Sequence, residues 1–82
     1  MWIRTQNRQR IVNTDQVISI FVDRTGTLVI AEVPRATIDH GTSLITLGEY
    51  KDRDTCLRVI NSLYYELESM VSAYVMPLGG EV

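Results

Sequence analysis

The stretch 52–75 reads DRDTCLRVINSLYYELESMVSAYV and carries the clearest pattern in the chain. Asp52 suits an N-cap, because its carboxylate can accept from the free N–H groups of a first helical turn. Asp54 adds negative charge where the helix dipole favours it, and strong helix formers follow. At about 100° per residue, Leu57, Ile60, Leu63, Tyr64, Leu67, Met70, Val71 and Tyr74 fall together, joined by Cys56, Val59 and Val75. The spacing predicts a helix from Arg53 to Val75, with Pro77 beyond it as a stop. Its apolar arc spans roughly 160°, wider than the ~100° that one sheet covers. The surplus flank calls for a second surface, either the N-terminal hairpin or the same helix of another subunit.

Upstream of this helix the chain reads as strands. Thr42 to Tyr50 is one candidate, preceded by the polar segment Pro34 to Gly41 with Asp39-His40-Gly41 as its turn. Thr27 to Val33 is another, ended by Pro34, which has no N–H to donate. Asp23-Arg24-Thr25-Gly26 reads as the turn before it, with Gly26 able to take a positive φ. Gln16 to Val22 is rich in β-branched and aromatic residues. Because both of its parities are apolar, it is expected to be a central strand. Trp2 to Thr5 and Arg10 to Asn13 form a hairpin across Gln6-Asn7-Arg8-Gln9.

The chain has 82 residues, 45% hydrophobic and 22% charged, which is enough apolar material for one core. We expect a single domain over residues 1–76 and a flexible tail over 77–82. A net charge of −2 argues against binding nucleic acid through bulk positive charge. One cysteine excludes an internal disulfide and a multi-cysteine zinc site, and fits a reducing compartment. The arginines at positions 4, 8 and 10 interrupt any signal-peptide stretch, and no apolar run reaches the ~20 residues of a membrane span, so a cytoplasmic location is expected.

Few residues suggest chemistry. His40 lies beside Asp39, but neighbours in a turn rarely align as an acid–base pair, and the chain has one histidine. Cys56 sits near the helix N-terminus, where a thiol can be activated, yet its place on the apolar arc reads as a small buried group. No glycine-rich phosphate loop is present, since Gly26, Gly41 and Gly48 stand alone and Gly79-Gly80 lies at the end of the sequence. Catalytic, cofactor and metal residues are therefore not assigned. Arg4, Arg8 and Arg10 beside Trp2 are the best signal for nucleic acid, through phosphate contact and base stacking. The same arginines can simply keep an edge strand soluble. Tyr65 projects from the polar side of the helix near Arg58, Asn61, Glu68 and Ser72, where folding does not require an aromatic ring. With Val59 and Tyr64 it forms the expected partner contact.

Trp2-Ile3-Arg4-Thr5-Gln6-Asn7, with Ile11-Val12-Asn13 behind it, and Leu47-Gly48-Glu49-Tyr50-Lys51 before the helix resemble small uncharacterised proteins of Gram-positive bacteria and their phages. The resemblance covers about a third of the chain in two separated stretches. It implies a compact strand-rich body closed by a C-terminal helix, and carries over no activity and no functional residue. Such proteins tend to have alanine where Cys56 stands, which implies a tight packing site there.

The expected fold is α+β: an antiparallel sheet of four to five strands with the helix 53–75 across one face, burying Ile60, Leu63, Leu67 and Val71. A small pleckstrin-like partial barrel is the alternative. The expected function is a non-enzymatic homo-oligomeric interaction module, a dimer or larger, using the helix flank or an open strand edge; a foreign protein could also occupy that surface. The alternative is a nucleic-acid accessory protein using the arginine cluster.

Overall fold

The computed structural model describes residues 1–35 and 41–82. Its strands are β1 (Trp2–Arg4), β2 (Ile11–Asn13), β3 (Ser19–Val22), β4 (Leu28–Pro34), β5 (Thr42–Glu49) and β6 (Ala73–Val75), with one helix, α1 (Arg53–Glu68), between β5 and β6. Short 3-10 turns cover Thr14–Gln16 and Gly79–Glu81.

The α+β class and the predominance of antiparallel pairing agree with the expectation from sequence, but the strands divide differently. Among the described residues there are two three-stranded sheets, ordered β2-β1-β6 and β3-β4-β5, in place of one sheet of four to five strands, and no barrel closes. In the first sheet β1 pairs antiparallel with β2 (Ile3 opposite Val12) and parallel with β6 (Ile3 opposite Tyr74). In the second, β4 is the centre, antiparallel to β3 and to β5, with a register shift between Val29 and Ile30.

Local signals place most element ends. Asp52 caps α1: its Oδ1 accepts from the Thr55 N–H at 2.8 Å and from the Thr55 hydroxyl at 2.6 Å. Gly26 has φ +84°, and the turn closes around the Asp23 carboxylate, which accepts from the N–H groups of Gly26, Thr27 and Leu28. Pro34 is the last residue of β4. Residues 14–16, the last of which was expected to open the third strand, instead turn, because the Asn13 side chain caps them by accepting from the Asp15 N–H.

The helix is shorter than its periodicity suggests. It stops at Glu68 with a Schellman motif: the Met70 N–H reaches the Leu67 carbonyl, the Val71 N–H reaches the Glu66 carbonyl, and Met70 takes φ +58°. Residues 73–75 then extend beside β1, where the Trp2 N–H donates to the Ser72 carbonyl and the Met76 N–H to the Arg4 carbonyl. The apolar run Val71 to Val75 fits helix and strand periods alike, and the open flank of β1 resolves the choice.

That shortening changes the buried stripe. The helix buries Thr55, Cys56, Val59 and Leu63, with Ile60 half-buried. Leu57, Tyr64, Leu67, Met70, Val71 and Val75, all expected on the buried arc, are exposed. Leu57 and Tyr64 lie ~80–100° round the helix from Cys56, and counting residues 70–75 as helical drew the predicted arc toward them. The core joins Ile3 and Val12 of the first sheet, Val29, Ala31 and Leu47 of the second, Cys56, Val59 and Leu63 of the helix, and Tyr50 and Met76.

Candidate interaction surface

Among the described residues β3 is an edge strand, not the central one expected. Its ladder is fixed by the Asp23 N–H, which donates to the Leu28 carbonyl, and by the Ser19–Glu32 and Phe21–Ile30 pairs. Antiparallel ladders alternate, so Ser19, Phe21 and Asp23 turn their backbone groups toward β4 while Ile20 and Val22 turn theirs outward. The side chains alternate too: Ile20 and Val22 pack against the main core, and Phe21 lies on the opposite face.

Beside this edge an apolar groove of about 360 Å³ separates β3 from α1. Val17, Ile20, Ile60 and Leu63 line it, with Tyr64 and Leu67 on the helix side and hydroxyls from Thr14 and Ser19, and among the described residues no charged side chain contributes. Tyr64 is 57% exposed and Tyr65 66% exposed; their rings meet edge-to-face with centroids 6.2 Å apart. Ile18, at the start of the open edge, is 58% exposed. Val59, expected among the contact residues, is 1% exposed and belongs to the core, so it supports this surface from beneath and offers nothing to a partner.

The opposite edge of the same sheet is closed at its Leu47–Glu49 end. The Gln6 N–H donates to the Leu47 carbonyl at 2.8 Å. The Gln6 side-chain amide then acts as a further strand residue, accepting from the Glu49 N–H and donating to the Glu49 carbonyl, each at 2.9 Å. Tyr50 reinforces this end by donating to the Pro77 carbonyl at 2.8 Å, and burial pushes its phenol up to about 12.

Of the three arginines read together from sequence, Arg4 donates through Nη2 to the Arg8 carbonyl at 3.5 Å, so these two remain neighbours. Trp2 and Arg4 are exposed on one face of β1. Arg8 is half-buried and donates through Nη1 to the Met76 carbonyl at 2.8 Å, tying the hairpin to the chain after β6. Arg10 lines a different cleft of about 430 Å³ between β2 and the ends of β4 and β5, with Gln16, Arg35, Ile11, Val33 and Ile45. The Arg35 guanidinium is turned to the Thr42 carbonyl through Nε and Nη2.

Cys56 is fully buried and its thiol donates to the Gly26 carbonyl at 3.5 Å; burial first, then the Asp23 and Asp52 charges, raises its pKa. That is the reverse of an activated thiol. Asp39 and His40 lie outside the described residues. Among the described residues no cluster of His, Cys, Asp and Glu could hold a metal ion, and no helix is long and apolar enough to cross a membrane.

Sequence reasoning did not find the closure by Gln6, and no local signal marks it, because its partners are 43 residues away. The open edge had a signal: residues 16–22 carry no charge, whereas exposed edges are usually guarded by Lys, Pro or a bulge. No family model, curated protein or solved structure matches the chain.

Proposed function

We propose that this protein is a non-enzymatic interaction module that works as a homo-oligomer, assembling through the apolar surface between β3 and α1. The observation that carries the reading is a groove rimmed by exposed Tyr64 and Leu67 and bordered by a strand edge, with no charged lining and no edge partner among the described residues. Aromatic side chains on a rigid element supply contact area at low entropic cost, and apolar patches at such an edge mark association sites.

Light scattering behind a sizing column, over a concentration series, tests it. The wild type is expected at twice the monomer mass or more, and Leu67→Glu is expected to shift it toward monomer while circular dichroism stays unchanged. A wild type that is monomeric at every concentration removes the homo-oligomer and leaves a foreign protein as the occupant.

A second reading, nucleic-acid binding, draws on Trp2 and Arg4 sharing an exposed face of β1. Trp2 is the only tryptophan, so its fluorescence reports directly on base stacking there. Absence of quenching by single-stranded or duplex oligonucleotides at low salt ends that reading.

A further inference from the structure

We propose that the homo-oligomer is built on a two-fold pairing of β3 with β3 of a second copy, centred on Phe21, which joins two three-stranded sheets into one. The inference rests on the homo-oligomer reading and names the surface and register that it uses.

Three observations carry it. The outward backbone groups of β3 belong to Ile20 and Val22, symmetric about Phe21. An antiparallel second copy with its axis at Phe21 therefore places Ile20 opposite Val22 and Val22 opposite Ile20, so each copy's free N–H and C=O groups meet their complements. An axis at Ile20 instead sets Ile18 opposite Val22, and the Ile18 N–H is already committed to the Glu32 carbonyl at 2.8 Å.

The side chains are also self-complementary in this register. Ile20 and Val22 meet on the helix side, next to the groove rim of Tyr64 and Leu67. Phe21 meets Phe21 on the opposite face, an aromatic cross-strand pair. Asp23 falls opposite Ser19 and Arg24 opposite Ile18, so no like charges face each other. The Asp23 carboxylate is already held by its own turn.

The third observation is the contrast with β5, whose Leu47–Glu49 end is sealed by the backbone and side chain of Gln6. Within one sheet, the Leu47–Glu49 end of β5 is capped by a committed residue, while among the described residues no segment caps the uncharged β3. An edge left in that state pairs with another strand, and a second copy supplies one of matching register.

Two kinds of variant test the register in the full chain. Ile20→Pro removes an outward donor that β4 does not use, and is expected to weaken association roughly 10–100-fold. Phe21→Cys places two thiols across the axis on Cα atoms about 4.5 Å apart, within the roughly 4.4–6.8 Å that a disulfide spans. Mild oxidation should give a covalent dimer. Ser19→Cys should not cross-link, since its symmetry mate lies about 13 Å away, four residues along a strand at ~3.3 Å each. Cys56 is buried and stays silent.

A wild-type dimer in which Phe21→Cys fails to cross-link, or Ser19→Cys links equally well, overturns the pairing and leaves the homo-oligomer standing. So does a folded Ile20→Pro that dimerises like wild type. A wild type monomeric at all concentrations overturns both. If Ile20→Pro fails to fold, the cysteine pair decides alone.

Discussion

Strand β3 and the Leu47–Glu49 end of β5, on opposite edges of one sheet, meet different fates. At β5 the hairpin between β1 and β2 delivers Gln6, whose amide copies the donor and acceptor of a strand residue and occupies the Glu49 backbone. At β3 nothing comparable arrives among the described residues: Ile20 and Val22 present backbone groups outward beside an apolar groove. Both edges carry the same kind of unpaired groups, so strand composition alone does not separate them. What separates them is whether a distant segment reaches the edge, and the contrast teaches that the sealed side belongs to the monomer's stability while the open side is available for association.

Gly48→Ala should have the largest effect. A Cβ there would lie 2.8 Å from the Tyr50 hydroxyl and 2.9 Å from its ring, so the ring must move, which disturbs its bond to Pro77. We expect a loss of about 1–3 kcal/mol in urea denaturation with no change in association beyond that caused by unfolding. Wild-type stability would show that the β5 end is more tolerant than its packing indicates.

Gln6→Ala removes the amide that seals the edge, though water can replace part of it at this exposed site. The expected cost is about 1 kcal/mol, with new concentration-dependent aggregation once the Glu49 groups are uncovered. Unaltered stability and solubility together would dissolve the distinction between the edges.

Ile18→Lys addresses the open side. Ile18 is exposed, so denaturation should shift by less than about 0.5 kcal/mol, while association should weaken several-fold because the lysine faces Arg24 of a second copy in the proposed register. The reverse pattern, an unstable monomer with intact association, would assign β3 to the core.

The smallest effect concerns the turn at the end of β3. The Thr25 hydroxyl, then the Leu28 N–H, hold the Asp23 carboxyl below its usual 3.8. A lowered folded-state pKa contributes stability above the unfolded value, lost as pH falls through the folded one. Denaturation midpoints should therefore decline below about pH 4. Asp23→Asn keeps an acceptor for the three N–H groups and should reduce that acid limb, to which Asp52, held low by Thr55, also contributes, leaving association at neutral pH intact.

Much of the fold was legible because its signals are local. Asp52, Gly26 and Pro34 act on backbone within a few residues, and each sits where its chemistry predicts. Leu63, Cys56 and Ile60 belonged to the buried stripe on either reading. The residues misassigned beyond the helix end share one property. Val71, Tyr74 and Val75 fit helix and strand equally, and their state depended on the vacant flank of β1, about 70 residues earlier in the sequence. Of the proposed contact residues, Tyr64 and Tyr65 are exposed, whereas Val59 is core. Of the arginines read together from sequence, Arg4 reaches the Arg8 carbonyl, Arg8 is engaged at Met76, and Arg10 lines a separate cleft.

By itself the amino-acid sequence determined the class, the antiparallel hairpins and the start of the helix, because capping, turn chemistry and side-chain periodicity act between near neighbours. Only the tertiary structure decided where the helix ends, that the strands split into two sheets, and which edge is closed. Those outcomes depend on backbone hydrogen bonds between segments remote in sequence, whose partners are chosen by the packed core rather than by the residues beside them.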